Sequence, residues 1–144
     1  MELAQFTAEM RPPGQAIAVP TVEAIYATGH WLLERDRSED AAKVFRVMLH
    51  AAPGDERGWL GLGECHERIG QLRIALELYG AGSVAAGPSP RCHLARVRTL
   101  RALERDEEAE RALDAAARDA ERLGDSELVA LVEQVAREPA RRAP

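Results

Sequence analysis

Apolar residues along this chain recur at helical spacing, in stretches broken by short polar or Pro/Gly-bearing segments. The pattern predicts paired helices near 21–35 and 38–51, 55–69 and 72–85, and 90–104 and 106–122. Pro53-Gly54-Asp55 and Gly87-Pro88-Ser89-Pro90 break the chain between pairs. A further amphipathic stretch, 126–137, starts after Gly124-Asp125 and stops at Pro139, with Leu128, Leu131, Val132 and Val135 on one face. β-branched runs bounded by turn residues are scarce, so the expected class is all-α.

The helix pairs repeat. Ala41, Ala75 and Ala109 lie 34 positions apart, as do Phe45, Tyr79 and Leu113, and Met48, Gly82 and Ala116. On the preceding helices the same step joins Gly29, Gly63 and Val97. Trp59, Leu62 and Gly63 spell the W-x-x-L-G opening of a tetratricopeptide unit, whose period is 34. Small residues belong where helix axes approach most closely, about 8–10 Å, and larger apolar ones between successive hairpins. The expected architecture is a tetratricopeptide solenoid of three helical hairpins with a C-terminal capping helix. Its expected divisions are an arm over 1–20, repeats over 21–122 (about 22–55, 56–89 and 90–122), and the cap with its tail over 123–144. The tail from Arg137 to Pro144 is expected to fray.

The third repeat fits least well. Without gaps, His93 takes the place of Trp59 and Arg96 that of Leu62. Either its first helix is rotated, or Arg96 snorkels across the edge of the core. Leu94, Val97, Leu100 and Leu103 still give a helical stripe.

Composition narrows the function. The 144 residues suit one domain, and a formal net charge of −5 argues against a nucleic-acid partner. Met1-Glu2-Leu3-Ala4 lacks the basic start of an export signal, and no apolar run is long enough for a membrane span, so a cytoplasmic protein is expected. Cys65 and Cys92 lie 27 positions apart without CxxC pairing and read as small buried hydrophobes. His30, His50, His66 and His93 show no HxxxH or HExxH spacing, so no metal, cofactor or catalytic constellation is expected. Gly61-Leu62-Gly63 resembles half a phosphate loop but sits within a helix, with no strand before it.

What remains is the inner face of the solenoid, lined by the first helix of each repeat. Its inward positions are Glu23, Tyr26, His30 and Leu33, then Arg57, Leu60, Glu64 and Glu67, then Arg91, Leu94, Arg98 and Arg101. Tyr26, Leu33, Leu60 and Leu94 form apolar pockets with charged rims in this reading, suited to an extended peptide. The plainer alternatives are core packing for Tyr26 and Leu60, and a solvated helix face for the arginines.

Some phrases resemble one family more closely. Ala24-Ile25-Tyr26 with Gly29, Ser38-Glu39-Asp40-Ala41-Ala42-Lys43-Val44-Phe45 and Gly61-Leu62-Gly63-Glu64-Cys65 are similar to the tetratricopeptide chaperones of bacterial type III secretion. Gly70-Gln71-Leu72 with Ala75 and Tyr79, and Pro90-Arg91, continue that resemblance, which runs from about Gln15 to Ala120. It implies a non-enzymatic chaperone that holds an extended segment of a hydrophobic translocator protein in its concave groove before export. By position it makes Tyr26 and Leu60 the first groove residues. His30, Glu64 and Glu67 stand where the family more often has apolar, small or uncharged residues, which implies a shifted peptide preference. The resemblance also implies an N-terminal dimerisation arm. With only Met1 to Val19 available, interrupted by Pro12-Pro13, a weak homodimer at most is expected. A transcriptional regulator is a further partner known in the family. A needle-subunit co-chaperone and a general tetratricopeptide interaction scaffold are the alternative functions.

Overall fold

The structure, a computed structural model, describes residues 21–144. The arm expected over residues 1–20 lies outside the described residues. Seven helices follow one another: α1 Val22–Glu34, α2 Ser38–Ala51, α3 Glu56–Arg68, α4 Leu72–Ala85, α5 Pro90–Ala102, α6 Asp106–Leu123 and α7 Ser126–Arg137. Each packs on its neighbours in sequence, and α1, α3, α5 and α7 also touch in that order. The result is three hairpins stacked in a row, with α7 laid against the last. The all-α tetratricopeptide arrangement expected from the period of 34 is the one observed.

Local chemistry repeats with the same period. The first helix of each hairpin begins at a side-chain cap. Thr21 accepts from the Ala24 N–H, Asp55 from Arg57 and Ser89 from Cys92, while Asp125 caps α7 in the same way. Pro90 at the first turn of α5 costs no hydrogen bond, since that N–H has no partner within a helix. Each hairpin turns through one residue in the left-handed region: Asp36 at φ 57°, Gly70 at 81° and Glu104 at 59°. The next N–H then reaches back five positions to a helix carbonyl, in Arg37 to Leu32, Gln71 to His66 and Arg105 to Leu100.

Packing explains the columns of small and large residues. The Phe45 ring of α2 fills the space between α1 and α3, over Gly29 and Gly61, where a Cβ on either glycine would strike it. Tyr79 does the same at Gly63 one repeat later. In the third repeat both members of the column change: Val97 replaces the glycine, and the smaller Leu113 replaces the aromatic ring, within one apolar cluster. The side chain gained at Val97 offsets the ring lost at Leu113, so the space stays filled, as close-packed interiors require.

Two apolar clusters result, one built from α1, α2 and α3 around Phe45 and Met48, the other from α5, α6 and α7 around Val97 and Leu100. Trp59 lies between them against Gly82, its indole N–H donating to the Pro53 carbonyl at 2.9 Å. The third repeat keeps the ungapped register. His93 occupies the Trp59 position half-buried, and its Nε2 lies 3.3 Å from Asp119 Oδ2 of α6. Burial lowers the pKa of this imidazole, and Asp119 offsets that only in part. Arg96 stays half-buried at the core edge with its Nε unpaired.

The tail expected to fray is held instead. Arg142 donates to the Arg101 carbonyl at 2.8 Å and pairs with Asp106, and the Ala143 N–H donates to the Ala102 carbonyl at 2.8 Å. The last carbonyls of α5 have no partner within their own helix, and a cation placed there also complements the helix dipole. Arg68 treats the end of α1 in the same way, donating to the Leu33 carbonyl at 2.7 Å.

Candidate functional site

The inner helices bring together six of the nine residues expected in the groove. Tyr26, His30, Leu33, Arg57, Leu60 and Glu64 line one concavity of about 100 Å³, floored by Phe45 and Gly61. Its walls follow from the repeat: Tyr26 and His30 lie one helical turn apart on α1, as Leu60 and Glu64 do on α3. The two rings of the α1 pair stack with centroids 5.9 Å apart and planes inclined by 14°. Tyr26 also meets Phe45 at a tilted 6.4 Å, which ties the groove wall to the core behind it.

Arg57 closes one side. Its guanidinium carbon lies 4.7 Å from the Tyr26 ring centre. Its fork donates to Asp55 at 3.0 and 2.7 Å and to Glu23 at 3.0 and 2.7 Å. Hydrogen bonds from Arg57 hold both carboxyl groups below their usual range. With four of its five donors taken up, Arg57 positions Tyr26 rather than offering a free cation to a ligand. The floor is apolar and the rim charged.

The other three residues fall elsewhere. Leu94 is 2% exposed and belongs to the core of the third repeat, because Leu128, Val132 and Val135 of α7 cover the face it was expected to open on. Leu33, one of the six above, is 3% exposed and reaches the concavity only as part of its floor. Glu67 is half-buried between repeats and accepts from Thr99 Oγ1 at 2.7 Å. Burial pushes its carboxyl pKa up. Arg98 faces the tail, donating to Glu138 at 3.2 and 3.0 Å.

A second concavity of about 330 Å³ was not expected. Arg98, Arg101, Glu138, Pro139 and Arg141 line it. Arg98 and Arg101 are on the inward list above, but their neighbours come from the tail, which carries no periodic signal.

Ser89 Oγ donates to Glu56 rather than to His93, and accepts from the Cys92 N–H. Burial raises the Cys65 thiol to about 11 and shifts Cys92 upward, so both buried thiols stay protonated. Among the described residues no cluster of three His, Cys, Asp or Glu side chains could hold a metal ion, and no helix is long and apolar enough to cross a membrane.

No family model matches the chain. Low calcium response locus protein H of Yersinia pestis is 32% identical over 75 residues, 52% of this chain and 45% of that protein. The chain thus spans about half the length of the curated relatives it matches. In fold it is similar to the type III secretion translocator chaperone SycD of Yersinia enterocolitica, with a TM-score of 0.73 and 28% identity over 83% of this chain and 88% of that one. The same chaperone in complex with a peptide of the translocator YopD gives a TM-score of 0.62 and 26% identity, over 85% of this chain and 97% of that one. The resemblance to type III secretion translocator chaperones read from the repeats is therefore borne out in both sequence and fold.

Proposed function

We propose that this chain is a non-enzymatic, cytoplasmic chaperone of type III secretion, holding an extended segment of a hydrophobic translocator protein in its inner groove before export. The observation that carries this reading is the concavity walled by Tyr26 and Leu60 over an apolar floor, on the inner face of a fold shared with a chaperone solved with a translocator peptide. An extended segment offers side chains at alternating positions, so one or two apolar anchors can enter while the backbone crosses successive helices. Tyr26 is braced by Phe45 and Arg57, so its ring is presented to the groove already ordered, which lowers the entropic cost of binding. Sequestration needs no chemistry: occupancy of the groove draws the partner out of its aggregating population by mass action.

The test is capture of the tagged chain from its native host, followed by mass spectrometry of what it retains. A long protein with apolar segments, bound by the native chain and lost from Tyr26→Ala, is the expected result. A needle subunit retained in its place would assign the chain to co-chaperones, and retention unaffected by Tyr26→Ala would remove the groove from the binding site.

A further inference from the structure

The two concavities lie on consecutive inner helices; the first balances Arg57 against Glu64, while the second is basic. Glu64 and Glu67 of α3 are followed one repeat later, at the same helical positions of α5, by Arg98 and Arg101. The second concavity thus has three arginines, Arg98, Arg101 and Arg141, against one carboxylate, Glu138.

Two features make this more than a basic surface. Arg101 is only 9% exposed, yet among the described residues it makes no ion pair; its side chain donates to the Val135 carbonyl at 2.8 Å. Buried guanidinium groups ordinarily meet a carboxylate, and one hydrogen bond leaves most of the five donors unused. Glu138, for its part, sits just beyond the end of α7 and takes both the Nε and the Nη2 of Arg98. It is a carboxylate of the chain itself, already seated on the inner face.

We infer that this arginine concavity is a carboxylate subsite of the peptide groove, taking an acidic side chain of the bound segment in the position that Glu138 occupies in the free chain. This rests on the groove reading above and adds to it a second specificity element. Neighbouring inner helices lie about 8–10 Å apart. An extended chain rises ~3.3 Å per residue, so the acidic residue falls about three positions from the apolar anchor. The preferred segment is an apolar anchor with an acidic residue at that spacing, apolar end over Tyr26 and Leu60, acidic end over α5. The two carboxylates compete for one guanidinium, so Glu138 reduces the gain that an acidic residue brings.

The experiment uses the full chain and labelled extended peptides bearing one leucine anchor, with glutamate or glutamine about three residues to either side. Fluorescence anisotropy at low and high salt reads their affinity. The glutamate peptide is expected to bind wild type roughly fivefold more tightly than its glutamine twin, a preference that salt screens. Arg98→Gln, at a side chain 52% exposed, is expected to erase the preference without loss of fold. Glu138→Gln is expected to tighten the glutamate peptide by removing the competitor. Equal binding of the two peptides to wild type, or a preference that survives Arg98→Gln, overturns the subsite while leaving the groove intact. If neither peptide binds, the groove reading falls and the subsite with it.

Discussion

The guanidinium of Arg57 lies over the Tyr26 ring at 4.7 Å, and the two residues come from neighbouring repeats. Arg57 is tethered at the same time to Asp55 below it and to Glu23 across the repeat boundary. A stacked cation, a phenol and two carboxylates thereby fix the spacing of α1 and α3 at the mouth of the groove. In the proposed function, binding and repeat packing share this one cluster.

Tyr26→Ala is therefore expected to weaken partner binding by about 2 kcal/mol, the scale of an aromatic anchor at an interface centre. Leu60→Ala should act in the same direction. Titration calorimetry against the captured partner gives the number, and thermal melting of each free variant separates lost binding from lost packing. Wild-type affinity in a folded Tyr26→Ala chain would place the partner elsewhere.

The Gly63–Tyr79 contact leads to a stability prediction. Gly63→Val puts a branched side chain into the Tyr79 ring and should cost about 1–3 kcal/mol, as overpacking does. The third repeat solves the same position with Val97 and Leu113. Adding Tyr79→Leu to Gly63→Val should accordingly recover part of the loss, so the two changes are non-additive. Urea unfolding of the two single variants and the double variant measures the coupling. Strict additivity would mean that the columns are not matched in volume.

Much of this was legible before any coordinates. The helix bounds fall within two residues of those expected, because Pro53, Gly87-Pro88 and Pro139 stop helices by backbone chemistry that needs no tertiary context. Tyr26, His30, Arg57, Leu60 and Glu64 were placed together because a period of 34 carries each inner position to the next helix. Leu94 was misplaced for a reason that the repeat template hides. The last hairpin has a neighbour in α7, and that helix buries the face which is open in the second repeat. The tail was missed because its attachments are guanidinium and amide donors on helix-end carbonyls, which leave no apolar pattern. Of the three left-handed turn residues only Gly70 announces itself; Asp36 and Glu104 sit at equivalent turns with side chains that mask them.

Those turns can be tested directly. Glu104 holds φ 59° without the freedom of glycine, so Glu104→Gly should stabilise the chain by about 0.5–1 kcal/mol. Gly70→Ala, at φ 81° with open space around it, should cost about 1 kcal/mol through backbone strain alone. Opposite shifts in melting temperature are the expected result. A loss of stability in Glu104→Gly would show that the side chain contributes more than the strained backbone costs.

Glu67 gives the last prediction, with a sign opposite to that of the surface pairs. Glu23, Asp55 and Glu138 are held below their ordinary pKa by arginine, so they stabilise the fold above the unfolded value and lose that contribution as pH falls. Glu67 is raised by burial, despite the Thr99 hydroxyl that donates to it. Its proton is bound more tightly in the folded chain than in the unfolded one. As pH rises from the unfolded value of 4.5 through the higher folded value, ionising Glu67 therefore costs stability, and above that window the full penalty remains. Glu67→Gln keeps an oxygen for Thr99 and removes the charge, so it should stabilise the chain at neutral pH and lose that advantage below the window. Denaturant midpoints of the two chains, compared from acid to neutral pH, measure the difference. A gain that does not shrink on acidification would mean that the glutamine acts through packing rather than through the lost charge.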